Sequence, residues 1–168
     1  YNAGLTTFPD PSDVPLDITE FILKNNEITA IPDHYFLNFS DIIIDLSANK
    51  IDGVISSQKF AGHQFIKKIT LDKNPITEIS SEAFANMNNL LEVSLISCKV
   101  ESISPSAFHN ATSLKCLRLQ DNLITVCPDL STSPNLDYLD ISKNKIATIH
   151  TDYFHIFTKL RFLHLNDN

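Results

Sequence analysis

The chain has 168 residues, 43% apolar and 20% charged, which is enough for a sizeable core and too apolar for a disordered tail. Its net charge of −7 and pI near 5.2 lack the basic footprint that nucleic-acid binding requires. No apolar run approaches the roughly 18 residues of a membrane span, and three cysteines do not make a complete disulfide framework.

Residues 1–17, "YNAGLTTFPDPSDVPLD", are rich in proline and carry no periodic pattern, so they are expected to form a flank. No Met or signal peptide opens the sequence, so Tyr1 is expected to begin a processed or trimmed product. From residue 18 onward one frame, LxxLxLxxN, recurs to the last residue. It reads "ITEFILKNN" (18–26), "DIIIDLSAN" (41–49), "IKKITLDKN" (66–74) and "LLEVSLISC" (90–98). It continues as "LKCLRLQDN" (114–122), "LDYLDISKN" (136–144) and "LRFLHLNDN" (160–168). The ninth positions form a ladder of Asn26, Asn49, Asn74, Cys98, Asn122, Asn144 and Asn168, spaced by 23, 25, 24, 24, 22 and 24 residues.

Within each frame apolar and polar residues alternate, the signature of a strand with one face buried. Two residues past the ladder comes an apolar side chain (Ile28, Ile51, Ile76, Val100, Ile124, Ile146). Another follows three further on (Ile31, Val54, Ile79, Ile103, Cys127, Ile149), and then a phenylalanine at 36, 60, 84, 108 and 154. The spacing places an asparagine just past each strand, where its amide can donate to and accept from backbone groups left without partners.

These frames resemble the leucine-rich repeat family in its roughly 24-residue form, over residues 18–168. The resemblance implies an α/β repeat solenoid: a curved horseshoe segment with a concave parallel β-sheet and an irregular or short-helical convex side. Seven repeats are expected over 18–168, the last incomplete. The flank at 1–17 resembles the end of an amino-terminal cap, where a short strand pairs with the first repeat. Leu163 and Leu165 are expected on an open end, which points to a piece of a longer ectodomain or to cover by a partner or second copy.

Local departures carry their own expectations. Asp41 replaces the first leucine of its frame, so Ile42 is expected to turn inward. The 25-residue unit is expected to bulge between Val54 and Phe60. The 22-residue unit has no phenylalanine and carries Pro128 and Pro134, so Leu130 is expected to fill the spine in a non-helical segment.

Outward positions of the sheet are the third (Glu20, Ile43, Lys68, Glu92, Cys116, Tyr138, Phe162) and the fifth (Ile22, Asp45, Thr70, Ser94, Arg118, Asp140, His164). Arg118, Tyr138, Asp140, Phe162 and His164 form the leading candidate ligand-binding patch, since exposed aromatics beside arginine mark interface hot spots. Ile22 with Ile43 is a smaller candidate. Asn38-Phe39-Ser40 and Asn110-Ala111-Thr112 are glycosylation sequons at equivalent positions, two residues after a spine phenylalanine. Cys98 and Cys127 read as buried apolar groups, while Cys116 points outward and is either a free thiol or paired to a segment elsewhere.

The six histidines are scattered, and no Gly-rich phosphate loop, HExxH or CxxC occurs, so no enzyme activity, cofactor or metal is expected. The resemblance to Toll-like receptor and Slit-like ectodomains implies an extracellular or cell-surface recognition module. Its ligand would most readily be a protein, with a glycan or lipid as alternatives, in host defence or adhesion. An intracellular docking scaffold is the competing reading.

Overall fold

The computed structural model describes residues 3–168. Ten strands follow in chain order: β1 (Glu20–Ile22), β2 (Ile42–Asp45), β3 (Gly53–Ile55), β4 (Ile66–Thr70), β5 (Ile76–Ile79), β6 (Glu92–Ser94), β7 (Ser102–Ile103), β8 (Cys116–Arg118), β9 (Tyr138–Asp140) and β10 (Phe162–His164). Seven of them, one per frame, form a parallel sheet in the order β1-β2-β4-β6-β8-β9-β10. The chain is therefore a parallel-strand solenoid whose frames stack in register, Glu20 beside Ile43, Ile43 beside Lys68, Lys68 beside Glu92.

The alternation read from the sequence sets which side of each strand is buried. Phe21, Ile44, Ile69, Val93, Leu117 and Leu139, at the fourth frame positions, lie in the core. Behind them Phe36, Phe60, Phe84 and Phe108 stack as a column, with centroids 5.9, 5.7 and 5.2 Å apart and rings inclined by about 15°. Leu130 takes the next place in that column and is buried. Beyond it, half-buried Phe154 packs with Tyr153 and Phe157, and the Tyr153 hydroxyl donates to Pro128 O at 2.7 Å.

Asparagines close each turn as the sequence implies. Asn49 Nδ2 donates to Leu23 O and Leu46 O, at 3.0 and 2.9 Å, and its Oδ1 accepts from Ile28 N–H. The same set recurs at Asn74, Asn122, Asn144 and Asn168. Cys98 reproduces only the donor half, its thiol pointing at Leu71 O at 3.4 Å. The residue before each ladder position is left-handed with φ between 51° and 60°: Asn25, Ala48, Lys73, Ser97, Asp121, Lys143 and Asp167. None is glycine, so each turn carries a backbone conformation that L-residues adopt at a cost.

Three expectations are corrected. Val54 is exposed and Ile55 takes the inward place, because the extra residue of the 25-residue unit lies before Val54, at a register shift beside Gly53 (φ +70°). A one-turn helix, α1 (Ser57–Phe60), follows that shift. No strand precedes β1 among the described residues. Instead Leu5 O accepts from Glu27 N–H, Asn26 Oδ1 accepts from Ala3 and Leu5, and Phe8 packs on Phe21 and Tyr35. The third correction is on the outer side, expected to be irregular or short-helical, where β3, β5 and β7 form a second parallel sheet beside the short helix α1. Ile42 turns inward and Asp41 faces solvent, as expected.

Candidate functional site

Strand register brings the five candidate residues together. Cys116 lies beside Tyr138 and Tyr138 beside Phe162, while Arg118 lies beside Asp140 and Asp140 beside His164. Arg118 Cζ sits 4.9 Å from the centre of the Tyr138 ring. Tyr138 in turn is 5.9 Å from Phe162 and meets His164 edge-on at 5.4 Å. Phe162 is 49% exposed, so the aromatic cluster is open to a partner.

Asp140 differs from its neighbours in being only 5% exposed. Its Oδ1 accepts from the Ser142 N–H and hydroxyl at 3.0 and 2.6 Å, and its Oδ2 faces His164 Nδ1 at 3.3 Å. The Tyr138 hydroxyl reaches the same Oδ2 at 3.5 Å. Asp140 therefore orients Tyr138 and His164 from beneath. Partial desolvation, followed by the Asp140 charge, pushes the Tyr138 phenol up, which keeps its proton in place as a hydrogen-bond donor at neutral pH.

Four residues absent from the sequence-based patch, Lys68, Glu92, Asp137 and Arg161, complete it. Glu92 lies between Lys68 Nζ, at 3.3 Å, and the Arg118 guanidinium, which fixes Arg118 over the tyrosine. Lys68, Glu92 and Arg118 border a recess of about 320 Å³ on the concave face. Arg161 lies 5.6 Å from the Phe162 ring centre and bonds Asp137 with two nitrogens, so Tyr138 and Phe162 each carry an arginine. The Arg161 bond holds the Asp137 carboxyl below the usual carboxylate range. A sequence signal for this pair existed: Arg161 and Asp137 occupy the same second position in adjacent frames, outside the two rows read as the sheet face.

Other candidates fall elsewhere. Ile22 is 49% exposed beside Asp45, with Ile43 half-buried. Asn38 is exposed, whereas Asn110 is half-buried, left-handed (φ 56°) and donates its amide to Asn86 Oδ1 at 3.1 Å. Cys116 is a half-buried free thiol that burial pushes up to about 11. Cys98 is buried and Cys127 half-buried against the core. Among the described residues no three His, Cys, Asp or Glu side chains are placed to hold a metal ion, and no helix is long and apolar enough to cross a membrane.

Residues 29–161 match the family model of the BspA-type leucine-rich repeat region, in six copies. The chain belongs to the leucine-rich repeat family. No curated protein matches it. Among solved structures, this leucine-rich repeat chain superposes on TLR13 from its complex with ssRNA13 with a TM-score of 0.81 at 22% identity, covering 90% of this chain and 22% of that one. A chain of the octameric complex of latrophilin 3, Unc5D and FLRT2 (LRR) gives a TM-score of 0.78 at 26% identity, covering 98% and 50%. A chain of the Drosophila Toll–Spatzle complex gives 0.66 at 23%, covering 90% and 24%. The leucine-rich repeat chain thus spans half or less of the length of these neighbours.

Proposed function

We propose that this chain is a ligand-recognition module of an extracellular or cell-surface leucine-rich repeat protein, docking a protein ligand on the concave sheet around Tyr138 and Phe162. The observation that carries this reading is the run Arg118–Tyr138–Phe162–Arg161, a half-buried tyrosine and an exposed phenylalanine each carrying an arginine held in place by a carboxylate. Rigid aromatic and arginine side chains lose little freedom on binding and dominate interface energetics. Protein-binding and host-defence or adhesion roles are supported by the repeat family and by neighbours solved with Spatzle and with latrophilin and Unc5D.

Arginine on aromatics also suits stacked bases, and one neighbour was solved with single-stranded RNA. Against RNA stand the net charge of −7 and the acidic Glu92, Asp137 and Asp140 within the patch itself. A panel of soluble ectodomains, a glycan array, lipid vesicles and single-stranded RNA separates these ligands. A protein hit lost on Tyr138→Ala/Phe162→Ala, with the circular dichroism unchanged, supports the proposal. A salt-sensitive RNA hit, or a protein hit untouched by the double variant, overturns it. An intracellular scaffold would use the same solenoid, and secretion with a glycan on Asn38 in a eukaryotic host separates the two settings.

A further inference from the structure

The second frame position lies beside the concave sheet, on the edge where the chain enters each strand. Over the last three frames it carries Lys115, Asp137 and Arg161. Backbone bonds stack them: Asp137 N–H donates to Lys115 O at 2.8 Å, and Arg161 N–H to Asp137 O at 2.9 Å. The residue before the frame adds Asn135 and Lys159. These five, with Leu160, border an open recess of about 570 Å³. Tyr138 and Phe162 directly follow Asp137 and Arg161 in the chain, so the recess is one flank of the aromatic patch.

Its charge sets it apart from the rest of the chain. Lys115, Lys159 and Arg161 are exposed, and Asp137 is the one carboxylate among the residues that line the recess. Three positive charges against one negative leave +2, in a chain whose total is −7. Both Asp137 oxygens are taken by Arg161. Lys159 Nζ donates to Asn135 Oδ1, a neutral amide, at 2.6 Å. Lys115 makes no ion pair among the described residues, whereas Lys67, in the same row two turns earlier, lies 3.2 Å from Asp41. A partner that closes over Phe162 thus covers two ammonium groups with no counter-charge of their own. Burying them is costly unless the partner brings anions.

We infer that this recess is the acidic-side-chain subsite of the concave docking surface: a protein ligand sets an apolar side chain on Tyr138 and Phe162 and two carboxylates on Lys115 and Lys159. The inference rests on the docking reading above and names the chemistry of the partner. The two lysines stand two turns apart, about 10 Å by strand spacing, a span that an extended segment covers with residues about three apart. A run of phosphates or sulfates fits less well. Asp137 lies between Lys115 and Arg161 in its row, and Glu92 and Asp140 flank the aromatics, so a ligand charged at every step also meets carboxylates.

The test selects binders of the whole chain from a display library of short random peptides. Enriched peptides are expected to carry two acidic residues about three apart beside an aromatic or aliphatic one. The best of them, synthesised, should bind Lys115→Glu/Lys159→Glu about tenfold more weakly than the parent, with Lys115→Gln/Lys159→Gln in between. Its affinity should fall as salt rises from about 0.05 to about 0.5 M, because exposed pairs are screened. An unchanged urea midpoint checks that each variant keeps the fold. Peptides lost on Tyr138→Ala/Phe162→Ala but indifferent to both lysine variants overturn this inference and leave the docking reading standing. Peptides weakened by the lysine variants alone overturn the docking reading, and with it the shared surface. Indifference to every variant, or no enrichment, overturns both. Binding of heparin or single-stranded RNA that the lysine variants abolish, with no acidic peptide enriched, overturns the inference in favour of a polyanion.

Discussion

Asn49 Oδ1 accepts the Ile28 N–H of the preceding turn at 3.1 Å while its Nδ2 donates to Leu23 O in that same turn, so one amide fixes both edges of its neighbour. Asn49, Asn74, Asn122 and Asn144 are buried, and their bonds replace water that the turn excludes. The slot at Cys98 shows what happens when half the amide is missing. Among the described residues no side-chain oxygen accepts from Ile76 N–H, the counterpart of Ile28.

Cys98→Asn is therefore expected to stabilise the fold, by about 1 kcal/mol, one net hydrogen bond. Asn144→Ala should destabilise it by about 1–3 kcal/mol by leaving Leu119 O and Ile124 N–H short of partners. Urea unfolding of the two variants beside the parent checks both signs. A destabilised Cys98→Asn would mean the thiol is there for packing.

The left-handed residue before each ladder position gives a second expectation. Ala48 holds φ at 52°, which costs an L-residue about 1–2 kcal/mol. Glycine removes that strain but loses more freedom on folding, about 0.5–1 kcal/mol. Ala48→Gly should thus stabilise the fold by up to about 1 kcal/mol, read as a raised urea midpoint with an unchanged slope. A lowered midpoint would show that the Ala48 methyl group packs more than its half-buried position implies.

Thiol ionisation sets the alkaline limit. Burial pushes both Cys98 and Cys116 up from 9.0 to about 11. Above pH 9 the unfolded chain releases these protons while the folded chain retains them, so stability is full below that pH and falls as pH rises toward 11. Cys116→Ser should flatten the decline between pH 8.5 and 11 in a thermal-melt series. An identical decline would assign the loss to other groups.

At the two sequons the environments differ in a way that occupancy should report. Asn38 is exposed, whereas the Asn110 amide is bonded to Asn86 in a turn that itself favours asparagine. Expression in a glycosylating host should therefore modify Asn38 to a greater extent than Asn110, as read by peptide mass before and after N-glycosidase. The reverse ranking would mean that the sequon at Asn110 is presented before its turn closes.

Repeat identity, strand register, the phenylalanine column and the asparagine ladder were all legible because each recurs, so an error in one frame is exposed by the next. Leu130 and Ile42 could be placed by the same logic. Single events were not legible. One inserted residue can be absorbed anywhere between Ile51 and Phe60, and only the backbone shows that it sits beside Gly53. The outer sheet β3-β5-β7 arises from short polar and apolar segments with no common letters. Of the site, the third and fifth positions were readable by alternation. Asp140's burial and Arg161's return onto Phe162 depend on side-chain reach that no period encodes.

The phenylalanine column stops at Phe108, and the outer sheet stops at Ile103. Past that point the outer side is joined by single backbone bonds (Leu123 N–H to Val100 O, Lys145 N–H to Ile124 O), by Leu130 and by the Tyr153 hydroxyl on Pro128 O, in place of paired strands and stacked rings. The outer side is thus braced by a sheet from Gly53 to Ile103 and by scattered contacts afterward. Tyr138 and Phe162 lie on the more lightly braced turns, so a ligand pressing on them is expected to work against the softer portion of the arc. Any change of curvature on binding is expected there first, and last between Phe36 and Phe108.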